Sequence, residues 1–250
     1  MIPPRNIARR VTVPVRFIVL TPGRAGSILL LRLLDSHPRV ICDNELFGRD
    51  PTTAPGTARR FGNSERMLTR ASIRAVAARA TAWGWSLHPA QLITQGVADP
   101  EGWCARFHDR GGRIVTLVRD NPVHQAVSAL VASETGIWHR RHEGPIKSVH
   151  LDPLQVLGAI HQAERAAQDV QRLIGDRSHL ALRYEDALRD PGCHQDTADR
   201  VFGFIGLESV AVSADLRRRT VPLREQVANF NELDGMLANT PYKGRMAEEP

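Results

Sequence analysis

A mostly apolar run, Val15-Arg16-Phe17-Ile18-Val19-Leu20, gives way to the turn-rich stretch Thr21-Pro22-Gly23-Arg24-Ala25-Gly26, and after Ser27 a second apolar run continues to Leu34. The first run is short, contains several β-branched residues and does not alternate, the pattern of a strand buried on both faces. The second is long enough for a largely buried helix and stops at Ser36-His37-Pro38. The predicted unit is strand, glycine loop, helix.

A comparable unit returns downstream. Gly111-Gly112 precedes a second strand, Arg113-Ile114-Val115-Thr116-Leu117-Val118, which ends at Arg119-Asp120-Asn121-Pro122. Pro122 is well placed to open a helix that runs through Ser128 toward Thr135-Gly136. A helix over 153–174 and a strand over 180–183 follow. Between the two units, prolines, Gly56 and threonines mark residues 43–63 as a long surface loop. Met67, Ile73, Val76 and Ala80 then recur at roughly helical spacing, which predicts a helix from Ser64, its candidate N-cap, to Ala82. This order predicts an α/β fold, a P-loop-like, mostly parallel sheet flanked by helices, in one domain spanning residues 1–250.

Composition narrows the function classes. With 33 basic and 27 acidic residues the net charge is +6, and only Lys147 and Lys243 of the basic residues are lysines. Arginine forks suit phosphate and sulfate, which accept two parallel hydrogen bonds, although arginines spread over solvated faces give the same count. The basic balance would suit nucleic acid, yet the chain has no helix-turn-helix, zinc module or aromatic RNA-binding pattern, so no nucleic-acid partner is expected. No apolar run is long enough for a membrane span, and Met1–Arg16 lacks the apolar centre of a secretory signal. The expected location is the cytoplasm. Cys42, Cys104 and Cys193 are too few and too scattered for a disulfide framework or a metal knuckle, and they read as ordinary buried thiols. The close pair His139 and His142 lacks companion ligands, so no metal is expected.

The glycine loop carries the chemistry. Between a buried strand and a helix it exposes backbone N–H groups at a helix N-terminus, where aligned peptide dipoles favour an anion. Arg24 adds a full charge, Gly26 permits close backbone approach and Ser27 supplies a hydroxyl. A helix-capping turn would show the same glycines. The Gly-Lys-Ser/Thr of triphosphate loops is missing, because Gly26 is followed by Ser27 and Ile28, and this counts against a nucleotide-dependent kinase or NTPase.

From Thr21 to Leu30 the chain resembles the 5′-phosphosulfate loop of sulfotransferases that use 3′-phosphoadenosine 5′-phosphosulfate. Their Lys/Arg-Ser-Gly-Thr corresponds to Arg24, Ala25, Gly26 and Ser27, with alanine where serine is common. The family's second element is a strand-end arginine followed by a helical serine that together grip the nucleotide 3′-phosphate. Arg119 and Ser128 fill these positions, one residue further apart than is usual, and Asp120 stands where related bacterial enzymes often carry a second arginine. The stretch Ser133–His139 resembles the trehalose sulfotransferase group. Residues 18–47, Leu182–Asp186, and the tail from Val227 to Tyr242 resemble nodulation-factor sulfotransferases. Residues 50–110 are the weakest part of the likeness.

The resemblance implies the sulfotransferase fold and a sulfuryl transfer from 3′-phosphoadenosine 5′-phosphosulfate to the hydroxyl of a small, sugar-containing acceptor. A homodimer is compatible with it. Residues 24–28, Arg119 and Ser128 would bind the donor, Arg24 would stabilise the transferring group, and Glu45 would be the general base, with His37 and His139 in reserve. Arg217-Arg218-Arg219 is either a cover for the 3′-phosphate or a solvated charge run. Tyr184-Glu185-Asp186 reads as a structural strand end, and Trp83, Trp85 and Trp138 as core. A catalytically silent relative would have lost the loop arginine or the base, and Arg24 and Glu45 are both present.

Overall fold

Strand β1 (Val15–Leu20) is apolar on both faces because it lies in the middle of the sheet. The computed structural model describes residues 13–48, 64–137, 148–214 and 222–248. In chain order, β1 is followed by α1 (Ser27–Asp35), β2 (Val40–Asp43), α2 (Ser64–Ala77), β3 (Ala82–Leu87), α3 (Pro89–Thr94) and α4 (Pro100–Asp109). Then come β4 (Arg113–Val118), α5 (Pro122–Thr135), α6 (Pro153–Ile174), β5 (Leu180–Arg183) and α7 (Tyr184–Ala187). A 3-10 turn (Pro191–Cys193) and helices α8 (His194–Phe204), α9 (Leu223–Gln226) and α10 (Phe230–Leu237) complete the described elements.

The strands form one sheet in the order β2-β3-β1-β4-β5, and every pairing is parallel. This is the α/β architecture expected from the sequence. Alternate residues of β1 enter different cores. Phe17 and Val19 pack with Leu30, Leu34 and the α8 residues Val201 and Phe202. Ile18 and Leu20 pack with Trp83, Trp85 and Phe107 on the opposite face. A third cluster joins α5 and α6 to α10 through Val127, Ile160 and Leu233. Among the described residues no helix is long and apolar enough to cross a membrane.

The helix predicted over 64–82 ends earlier, at Ala77. Arg79 turns into the left-handed region at φ 57°, and the Ala80 N–H reaches back to the Ala75 carbonyl at 2.9 Å, a Schellman-type closure. Ala82 then starts β3, whose six residues are all buried. Trp83 and Trp85 stack at 5.0 Å inside the core. Of the cysteines, Cys104 is buried, with its thiol pushed up to about 12 by loss of solvent, whereas Cys42 and Cys193 are half-buried.

Gly84 lies opposite Phe17 in the β1–β3 register. A Cβ there would come within 2.4 Å of the Phe17 ring, which has no exposed surface to move into. Gly84→Ala should therefore lower the free energy of unfolding by about 1–3 kcal/mol, the range for overpacking, as read by urea denaturation.

Candidate active site

Because all five strands run the same way, the turns that follow β1, β2, β3 and β4 gather along one edge of the sheet. In open α/β sheets this edge is where ligands bind. The turn after β1 is built on left-handed backbone: φ is 94° at Gly23, 53° at Arg24 and 87° at Gly26. Gly26 is the N-cap of α1, with no side-chain cap bond and no acidic residue in the first turn. The first N–H groups of α1 have no acceptor within the helix, and no carboxylate of its own first turn competes for an arriving anion. A Cβ on Gly26 would sit 3.0 Å from Leu188 and 3.1 Å from Tyr184, so only glycine fits this turn. Helix α5 holds the other end, where the Gln125 amide donates to the Gly23 carbonyl at 2.8 Å.

Arg24 is half-buried, and its guanidinium donates twice to the Ser128 hydroxyl, at 3.2 Å from Nε and 2.8 Å from a terminal nitrogen. Burial lowers its pKa and the nearby Glu45 charge opposes this, but a guanidinium remains charged at any ordinary pH. Ala25 and Ser27 are buried, and Ile28 is half-buried on the first turn of α1.

Glu45 follows β2 and is drawn beside β3 when the Ser86 N–H donates to the Asn44 carbonyl at 2.9 Å. Its carboxylate accepts from the Gln91 amide at 2.9 Å and faces His88 Nε2 at 3.8 Å. His88, the residue after β3, lies against the glycine loop: a Cβ on Gly23 would meet its ring at 3.3 Å. The chain of contacts from loop to carboxylate is thus Gly23, His88, Glu45.

Arg119 leaves the end of β4 and stacks over the Tyr184 ring at 4.5 Å, with a terminal nitrogen 3.3 Å from His124 Nδ1 and Nε 3.9 Å from Glu185. Glu185 also accepts from the Asp120 N–H at 3.1 Å. Asn121 caps α5 by accepting from the His124 N–H and donates its own amide to the Arg245 carbonyl and to Glu248. Tyr184 touches both Arg119 and the face of Gly26, so the glycine loop and the strand-end arginine meet on one buried ring.

No family profile matches the chain. Nodulation protein H of Rhizobium meliloti is 27% identical over 254 residues, covering 92% of this chain and 95% of that protein. Nodulation protein H of Rhizobium tropici is 26% identical over 243 residues, with 92% of each covered. The chain is similar to Nodulation protein H along nearly its whole length. A crystal structure of a sulfotransferase from Alicyclobacillus acidocaldarius covers 93% of the chain at a TM-score of 0.48 and 18% identity.

The reserve base His37 lies just past the C-cap of α1, at the opposite end of that helix from Ser27. Its Nδ1 accepts from the Arg39 N–H at 3.0 Å and its ring packs on Phe202 at 5.0 Å. It is a helix-ending residue turned toward the core. His139, His142, Trp138 and Arg217-Arg218-Arg219 lie outside the described residues. Among the described residues no cluster of three His, Cys, Asp or Glu could hold a metal ion. Three site residues escaped sequence reasoning: His88, Gln91 and Gln125. The His88-Pro89 pair just after a run of buried residues was the available signal for the first two, since Pro at the first helical position marks a strand-to-helix turn.

Burial pushes the His88 pKa below its ordinary 6.5, Glu45 pulls it up and Arg24 pushes it down. The neutral ring is therefore the native form. A folded-state pKa below the unfolded one contributes stability that is complete above pH 6.5 and is lost as pH falls below it. Wild type should lose urea resistance as pH falls below 6.5 more steeply than His88→Gln, which cannot protonate.

Proposed function

We propose that the protein is a cytoplasmic sulfotransferase with one catalytic domain, moving a sulfuryl group from 3′-phosphoadenosine 5′-phosphosulfate to a hydroxyl of a carbohydrate or glycosylated acceptor. The observation that carries this reading is the meeting of an arginine-bearing, left-handed glycine loop at the open N-terminus of α1 with the carboxylate of Glu45. Full-length similarity to Nodulation protein H supports it. The donor supplies an activated sulfur–oxygen bond whose leaving group is a phosphate.

The residues present suit such a donor. Backbone N–H groups of Ala25, Gly26, Ser27 and Ile28 and the Ser27 hydroxyl would hold the 5′ end, since dipoles and hydrogen bonds at a helix start favour negative charge. Arg24 neutralises charge on the transferring group and on the departing phosphate. Arg119 and Ser128 serve the 3′-phosphate, and the Arg24–Ser128 hydrogen bonds make the two anion grips adjoin. The acceptor oxygen attacks sulfur in line and forms the new sulfur–oxygen bond as the bond to phosphate breaks. Its proton passes to the Glu45 carboxylate. Charge stabilisation and positioning do most of the work in this class of transfer, as they do for phosphoryl groups.

Calorimetry with 3′-phosphoadenosine 5′-phosphate should show a single site. Arg24→Ala and Arg119→Ala should each weaken it by about tenfold or more, the loss expected for a charged hydrogen bond. Glu45→Gln should bind the nucleotide as wild type does while sulfuryl transfer to a sugar panel, read by mass shift, drops by at least about a hundredfold. No nucleotide binding by the wild type, or binding indifferent to both arginines, would overturn the proposal.

A further inference from the structure

Gln91 is a residue that neither the sequence motifs nor the family resemblance singles out, yet both ends of its side chain are engaged at the site. Its carbonyl oxygen accepts from the His88 N–H at 3.0 Å, closing a capping box at the start of α3. Its amide nitrogen donates to Glu45 Oε2 at 2.9 Å. The same carboxylate turns Oε1 toward His88 Nε2 at 3.8 Å, and a Cβ on Gly48 would meet Oε2 at 2.7 Å, so the Glu45 side chain is folded back over Gly48. Glu45 itself is on an exposed turn after β2. An exposed glutamate on a turn samples several rotamers unless another group selects one.

We infer that Gln91 is the positioning residue for the base: it fixes the Glu45 carboxylate in one orientation relative to the glycine loop by bonding Glu45 and His88 at once. The inference rests on the reading of Glu45 as the base. A Gln at this position is suited to the task because it is acceptor and donor together. Its acceptor end is satisfied by the backbone of the residue that touches Gly23, and its donor end is left to aim the carboxylate. The loop and the base thereby share one strut, although they belong to turns after different strands.

The test separates the two ends of the side chain. In Gln91→Glu a carboxylate still accepts from the His88 N–H at the start of α3, so the cap is kept, but the amide that donates to Glu45 is replaced by a like charge that turns its carboxylate away. Three quantities are read on the full chain: the dissociation constant for 3′-phosphoadenosine 5′-phosphate, the melting temperature, and turnover of 3′-phosphoadenosine 5′-phosphosulfate. Turnover is followed both to a sugar acceptor by mass shift and to water by sulfate release. The expected result is nucleotide affinity within about twofold of wild type, a melting temperature within about 4 °C of it, and turnover reduced by about tenfold or more. In a Glu45→Gln background the same substitution should cost nothing further, because residues that act as a unit are not additive.

Turnover undiminished in Gln91→Glu while Glu45→Gln abolishes it would overturn the positioning role and leave the base assignment intact. A loss of equal size in both backgrounds would assign the effect to α3 rather than to Glu45 and overturn the inference too. Undiminished turnover in Glu45→Gln would remove the base assignment and the inference with it.

Discussion

The left-handed turn at Gly26 is the constraint on which the rest of the site depends. It ends the turn after β1 and opens α1, so it determines where the first free N–H groups of the helix point. The turn is closed from outside the β1–α1 unit, by Tyr184 and Leu188 from the far edge of the sheet, which a Cβ at Gly26 would press at 3.1 and 3.0 Å. Tyr184 in turn carries Arg119 on its ring. One buried aromatic side chain therefore sets the loop and the strand-end arginine in register. That gives Tyr184-Glu185-Asp186 a structural purpose, since Glu185 also receives the Asp120 N–H beside that arginine.

Arg24 adds a cost to this arrangement. A non-glycine residue at φ 53° is held in a sparsely populated region, at roughly 1–3 kcal/mol, and persists only where its surroundings over-determine it. Helix α5 supplies much of that determination. Gln125 grips the Gly23 carbonyl and Ser128 receives the guanidinium, three residues apart and so on one face of the helix. The helix is itself fixed at its start by the Asn121 cap, whose amide is tied to the segment near Arg245 and Glu248. Loop strain, helix capping and the C-terminal segment are thus linked through a short sequence, Asn121 to Ser128.

The parts legible in the sequence were those whose cause is local. An apolar run without alternation announces a central parallel strand, and β1, β4 and β5 were found with the residues expected; α1, α5 and α6 follow from turn residues and prolines at their ends. Strand β3 was hidden because its causes are tertiary. Its Trp-Gly-Trp core breaks the usual strand composition, and Gly84 is explained only once the Phe17 ring is seen above it. His88 and Gln91 were missed along with the strand that presents them. The meeting of Arg24 with Ser128 spans 104 positions and follows from the pairing of β1 with β4, which no local pattern reveals. Conversely His37, held in reserve by the resemblance, lies beyond the end of α1 that is far from the loop, a distinction that depends only on helix rise.

Two departures from the family pattern find physical reasons in the packing. Ala25 stands where a serine is common, and its side chain has no exposed surface, lying in the same core cluster as Leu29 and Leu188. A hydroxyl at that site would need a buried partner, whereas alanine needs none and leaves the backbone N–H of the loop unchanged. The second departure is the extra residue between Arg119 and the serine. The more usual spacing would fall on Val127, which is fully buried in the cluster between α5 and α6. One position further along is a rotation of about 100° around the helix, and it carries Ser128 out of that core onto the side where Arg24 arrives. The spacing is set by which face of α5 meets the loop, so the longer interval preserves the contact that a shorter one would have turned inward.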